Sequence, residues 1–404
     1  MVNKRHHYVP QYYLKQFRGD GTNRVLVTMV DPFRCAGMGS IKGQCQHDHF
    51  YGKAGSTDAM LQETEQAIAP ALYTVNQTRL ASYKQWQGLR LLATQLHLRT
   101  RKAAELAKVF PRFVTDQFIR HAIAKGELPP PKGGWRADMM DFEGVPQSLL
   151  GLNLLSCYFE TATLRCKLLS APTGAYFITS DNPAITLNQF AADAKGVRDY
   201  VGFAQAGFQM VLPLSPSLCA FLYDPFVYKV GDRQADIVEL RAEDVELLNG
   251  LQIQSAEHCL YAHRPEAEPE LGRLIAKYAR LRKPDTAAMK SFPQNERETV
   301  IKFSHPAMIL PRRWQFCGYL KSIHRRVGDR REPGTTHLIQ LLVDNIVKNP
   351  VGVNLEERIE QVIQSLPPNG PIPVVRRPGL AGVRSPNIRL PNSPRDWKTG
   401  PIEP

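Results

Sequence analysis

The sequence predicts an α+β fold, rich in helix, with a small, mainly antiparallel sheet and a C-terminal extension beyond it. Three observations carry this prediction. Long stretches around residues 61–75, 86–108 and 242–262 place apolar side chains at helical spacing. Short β-rich runs at 25–30, 203–214 and 218–223 are bounded by Gly, Pro, Asn and Asp. Beyond residue 285 the composition shifts to basic, aromatic and proline-rich segments. The expected organisation is a main domain over 1–284, an extension with short helices over 285–366, and a disordered tail over 367–404.

At 404 residues the chain has ample material for a core, and a hydrophobic fraction of 43% is that of an ordinary globular protein. No apolar run approaches the ~18 residues of a membrane span. The N-terminus lacks the apolar core of a signal peptide, so the expected compartment is the cytoplasm, with no membrane partner. The seven cysteines are scattered and form no C-x-x-C pair, which argues against a disulfide framework or a structural zinc site. The formal charge of +13 favours a polyanionic partner, nucleic acid or nucleotide.

The first element is a short buried helix in which Tyr13, Leu14 and Phe17 share a face, preceded by His6, His7 and the rigid Pro10. Gly19-Asp20-Gly21 is a turn, residues 25–30 a strand, and Asp31-Pro32 its end. A glycine-rich connector then leads to Cys45, His47, Asp48 and His49. That cluster invites a metal reading, but its spacing is tighter than a zinc knuckle and no second half follows, which favours surface polar residues before a strand.

Leu61, Glu65, Ile68, Leu72 and Val75 fall on one helix face, so Glu65 is a carboxylate on an apolar stripe and needs a partner. A second, central helix is expected over 86–108, with Gln95 and Arg99 four residues apart on one face. Arg99 either pairs with a carboxylate such as Glu65 or holds an anion in a cleft. A third helix follows over 110–125. Residues 149–169 read as a long apolar helix, and 175–179 as a buried strand running into Ser180-Asp181-Asn182-Pro183. Asp181 there reads as an Asx turn that caps its own backbone. Residues 203–214 and 218–223 form a hairpin. The helix over 242–262 carries Asn249, whose position suggests a polar contact across the core. Residues 271–281 continue helically.

From 285 to 335 the chain reads as mostly irregular. Arg312, Arg313, Trp314, Arg325 and Arg326 interleave base and aromatic, as phosphate contact with base stacking requires; a solvated turn with buried aromatics fits equally. Short helices are expected over 338–347 and after Asn354.

Taken together, the ordered motifs carry more than any one. They are His6-His7-Tyr8-Val9-Pro10-Gln11, the pair Phe50-Tyr51, the acidic helix around Glu65, Gln95-x-x-x-Arg99-Thr100, and Phe177-Ile178-Thr179-Ser180-Asp181-Asn182-Pro183. Leu248-Asn249 follows in a helix ending near Tyr261. This set resembles a bacterial domain-of-unknown-function family, number four-two-three-eight, over about residues 4–265. The resemblance groups His6, His7, Glu65, Arg99 and Asp181 as candidate catalytic residues. Around them it places Gln11, Gln95, Thr179, Ser180, Asn182 and Asn249 as binding residues. His7 and Pro10 also look like the opening of HNH-type nucleases, but no matching downstream Asn and His follow at short spacing, so those ligands are not carried over.

Histidines, carboxylates and an arginine suit phosphodiester hydrolysis: proton transfer, a divalent cation such as Mg or Mn, and charge stabilisation. The first expectation is therefore a nuclease or nucleotide phosphoesterase, of the kind found among toxins and phage-defence effectors. The alternative is a non-catalytic module that binds nucleic acid or a phosphorylated ligand, its polar set being a buried structural network. A third reading is an interaction protein whose Pro/Arg tail docks a partner.

Overall fold

The computed structural model describes residues 4–19, 21–53, 55–140, 150–193, 202–282, 288–293, 299–304, 308 and 310–320. The chain opens with β1 (Arg5–His7) and α1 (Gln11–Leu14), the latter extended by a 3-10 turn to Phe17. Then come β2 (Arg24–Val30), β3 (Phe33–Ser40), β4 (Gln46–Asp48), α2 (Ser56–Thr78), α3 (Tyr83–Leu98), α4 (Arg101–Ala107) and α5 (Val109–Ala124). The middle of the chain gives α6 (Leu150–Glu160), β5 (Arg165–Ser170), β6 (Thr179–Ser180), β7 (Ile185–Leu187) and α7 (Gln189–Asp193). Next are β8 (Gln209–Ser215), β9 (Leu218–Tyr223), β10 (Tyr228–Val230), β11 (Ile237–Glu239) and α8 (Ala242–Ser255). The described chain closes with β12 (Cys259–Ala262), α9 (Glu268–Tyr278), β13 (Ala288–Pro293), β14 (Thr299–Ser304) and β15 (Cys317–Tyr319).

The fold is α+β, as expected, but it is built on two principal sheets. One has the order β11-β5-β9-β8-β7, the other β3-β2-β12-β6. All pairings are antiparallel except β11 on β5. The hairpin β8–β9 is buried on both faces. Its alternation sends Met210, Leu212, Leu214, Ala220 and Leu222 into a core shared with α1, α2 and α3, and Val211, Cys219, Phe221 and Tyr223 into a second core. A third core lies between β2, β12, α8 and α9. Tyr13 ties the two sheets together: its hydroxyl donates to the Pro213 carbonyl at 2.8 Å and accepts from the Thr179 hydroxyl at 2.8 Å. Among the described residues no helix is long and apolar enough to cross a membrane.

Several elements differ from the sequence reading. The glycine-rich connector is strand β3, paired with β2 from Arg24↔Ser40 to Val30↔Phe33. Glycine serves close approach there: a Cβ on Gly39 would lie 2.8 Å from Val27 Cγ2. The single helix over 86–108 is two helices. Thr100 takes an extended conformation (φ −71, ψ 163) and its side chain accepts from the Ala103 N–H, starting α4. The expected helix over 149–169 stops at Glu160, and its second half is β5, which pairs with β9 from Arg165↔Tyr223 to Ser170↔Leu218. An apolar run does not by itself distinguish buried helix from buried strand.

The strand expected over 175–179 is only Thr179–Ser180, at the edge of its sheet. The hairpin strand expected from 203 begins at Gln209, after a turn at Gly207 (φ +81). The helix over 242–262 ends at Ser255, and Cys259–Ala262 joins the sheet between β2 and β6. Within the stretch from 285, the described residues include two strand pairings: β13 pairs antiparallel with β14, and β15 with β10. Trp314 and Cys317 are buried in the second core. The helices expected over 338–347 and after Asn354, and the tail over 367–404, lie outside the described residues.

Candidate functional site

Arg99 is the centre of the polar arrangement. It sits at the C-terminal cap of α3 with only 3% of its surface exposed. Each of its three guanidinium nitrogens is committed. Nη1 donates to Glu65 Oε1 at 2.5 Å, Nη2 to the His7 carbonyl at 2.7 Å, and Nε to the Tyr51 hydroxyl at 3.0 Å. Burial alone would lower its pKa; the neighbouring Tyr51 and Glu65 outweigh that and hold it above the usual range. The ion pair foreseen between Glu65 on α2 and Arg99 is therefore present, and it reaches the surface only through the partly exposed Glu65.

The two histidines lie on β1, opposite His47 and Gln46 of β4. His6 is fully buried, stacks on Tyr51 at 5.5 Å, and its Nδ1 accepts from the Tyr51 N–H at 3.0 Å. His7 Nδ1 lies 3.0 Å from the Gln44 carbonyl, so it carries the proton. Its Nε2 then accepts from the Gln11 amide at 3.0 Å. Both ring nitrogens of His7 are thereby used, and burial pushes its pKa down.

Asp181 lies elsewhere in the network and does not cap its own backbone. Its Oδ1 accepts from the Glu257 N–H at 2.8 Å, and its Oδ2 from His258 and Cys259 at 2.7 and 3.0 Å. The carboxylate is a built-in anion for the loop between α8 and β12, and it holds that loop out of helical conformation. Burial raises its pKa, against the pull of the three N–H donors.

Most other motif residues are equally occupied. Ser180 Oγ donates to Gln252, whose amide donates to the Pro183 carbonyl. Asn182 accepts from the Thr100 hydroxyl at 2.9 Å and donates to Ser255 Oγ at 2.8 Å. Asn249 accepts from the Ile178 N–H and donates to the Tyr176 carbonyl, the cross-core contact read from its place on the helix. Gln95 differs. It is fully buried one turn before Arg99, and neither end of its amide has a hydrogen-bond partner. The Tyr12 hydroxyl is also without one, and Glu65 and Arg99 are the charges that act on it.

The sequence placed Tyr51 and Tyr13 only as aromatic residues and Gln252 only as an inward-facing one, and it did not single out Ser255. Their hydroxyls and amides are what connect the motifs. Adjacency of Tyr51 to Phe50 in the motif set was the one signal pointing to it.

Residues 5–126 and 143–266 match the model of a family described as a protein of unknown function (DUF4238). The chain belongs to this family. No curated protein and no solved structure matches it. Every motif residue from His6 to Asn249 falls within the DUF4238 match, while residues 285–320 lie beyond it.

Cys45, His47, Asp48 and His49, though adjacent in the DUF4238 sequence, do not converge. Cys45 is buried and shares a hydrogen bond with the Tyr261 hydroxyl at 3.2 Å, while Asp48 pairs outward with Lys4 at 3.0 Å. Among the described residues no group of three His, Cys, Asp or Glu side chains is arranged to hold a metal ion. Of the basic-aromatic set, Trp314 is a core residue, 3% exposed and edge-on to Phe221 at 5.1 Å, so it is not available for base stacking. Arg313 pairs with Asp193 at 2.8 Å and lies over the Tyr319 ring, while Arg312 is exposed. Arg325 and Arg326 lie outside the described residues.

Proposed function

We propose that the domain is a non-catalytic binding module for nucleic acid or a phosphorylated ligand, in which the family motifs form a structural buried network. The observation that carries this reading is the engagement of the candidate catalytic groups by protein partners. The Arg99 guanidinium, both His7 nitrogens and both Asp181 oxygens are already bonded to protein partners. A general base needs a free lone pair, and an anion-stabilising arginine needs a free N–H edge. His7 has no ring nitrogen left over, and Arg99 and Asp181 are held in place by a protein partner on each nitrogen and each oxygen. The net charge of +13 supports a polyanionic partner.

Fluorescence anisotropy with labelled single-stranded DNA, RNA and nucleotides tests the binding half. Affinity is expected to fall linearly on a log–log plot against salt. Absence of binding at low salt overturns it. Thermal and urea melts of Arg99→Met test the structural half, with an expected loss of ~3–5 kcal/mol for a broken buried pair.

One observation favours hydrolysis as a second reading: Glu65 is partly exposed beside Arg99, with the unsatisfied Gln95 amide and Tyr12 hydroxyl nearby. Incubation of nucleic acids with the protein and Mg2+ or Mn2+ decides between them. Cleavage that Glu65→Gln abolishes without moving the melt would establish the second reading and sink the first.

A further inference from the structure

A shallow groove of about 680 Å3 lies at the N-terminal end of α9 and is lined by none of the motif residues. Phe33, Pro265, Glu266, Glu268, Pro269 and Gly272 line it. Phe33 opens β3 and leaves 50% of its surface exposed. Gly272 lets the ring lie against the helix: a Cβ there would stand 3.3 Å from Phe33 Cζ. The groove thus presents an aromatic face between two prolines, with the exposed carboxylates of Glu266 and Glu268 at its rim. Surfaces of this kind suit extended, proline-rich peptides. Such peptides lose little entropy on binding, pack their rings on an aromatic, and set flanking basic residues against carboxylates.

The chain carries such a segment. Residues 367–378 read Pro-Pro-Asn-Gly-Pro-Ile-Pro-Val-Val-Arg-Arg-Pro, four prolines before Arg376 and Arg377 and a fifth directly after them. We propose that this groove is the docking site of residues 367–378 of the same chain, with Pro371 and Pro373 on Phe33 and the arginine pair on Glu266 and Glu268. Charge complementarity and composition select this occupant. Reach permits it: the intervening residues 321–366 span up to ~150 Å when extended. Tethering also raises the effective concentration of the segment to the order of millimolar, so a shallow groove suffices to hold it.

Limited trypsin digestion of the full-length protein tests the assignment. Cleavage between Arg376 and Arg377 is expected to be several-fold slower than cleavage after Arg389, which lies outside the docked segment. In the Glu266→Lys/Glu268→Lys variant the two rates should converge, with circular dichroism confirming an unchanged fold. Excess synthetic peptide spanning 367–378 should expose the Arg376 site in the wild-type chain, and the same peptide with glutamate for both arginines should not. Equal rates in the wild type, or protection that survives the charge reversal or the competing peptide, would overturn the proposal. So would protection that rises with protein concentration, because that places a second copy's tail in the groove.

Discussion

His7 is held by both ring nitrogens, one donating to Gln44 and one accepting from Gln11. A protonated ring would have to turn the Gln11 amide over and place a charge in a buried site beside Arg99, whose field opposes it. Its folded pKa is therefore below the ordinary value of 6.5, mainly through burial. Worked through linkage, the unfolded chain takes up a proton below pH 6.5 that the folded chain refuses. The His7 contribution is fully present above that pH and is lost as pH falls towards the depressed value. Melting temperatures recorded from about pH 8 to about pH 5.5 should fall, and the fall should flatten in His7→Asn. A slope identical in the two proteins would show that His7 is not the group responsible.

At the scale of elements, the break between α3 and α4 does most to shape the site. Apolar periodicity runs through it, so the sequence reads as one helix. Thr100 interrupts it because its side chain serves two partners, accepting from the Ala103 N–H and donating to Asn182. The break is what frees Arg99 to swing its guanidinium back to Glu65, Tyr51 and His7. Thr100→Ala removes a cap worth ~1 kcal/mol and leaves Asn182 Oδ1 without that donor, for about 2 kcal/mol in all. Thr100→Ser should recover most of this in urea denaturation. A Ser variant no better than Ala would place the effect in the threonine methyl instead of the hydroxyl.

On the scale of the whole molecule, the chain beyond the family match returns to the main core. Trp314 packs edge-on against Phe221 of β9 and stacks on Phe316 at 5.2 Å, while Asp244 of α8 accepts from the Gln315 N–H at 3.1 Å. The segment around β15 thus packs into the same core as the central hairpin. Trp314→Ala should cost ~3–5 kcal/mol and lower the urea midpoint of the whole domain in a single transition. A separate early transition, with the main one unmoved, would mean that the segment unfolds on its own.

The sequence by itself determined the α+β class, the opening buried helix, the need of Glu65 for a partner and the cross-core role of Asn249. Each of these follows from local periodicity combined with the cost of burying a lone polar group, and both are readable from neighbours in the chain. Tertiary structure alone decided which apolar runs became strands. Residues 165–170 and 259–262 are strands because β9, β2 and β6 offered them edges, and pairing with a distant strand leaves no mark in local spacing. It also decided the state of the candidate site. Whether a histidine or aspartate is free to act depends on what its polar atoms are bonded to. Gln44 on His7, and the Glu257–Cys259 backbone on Asp181, are partners far along the chain that only the fold brings within reach.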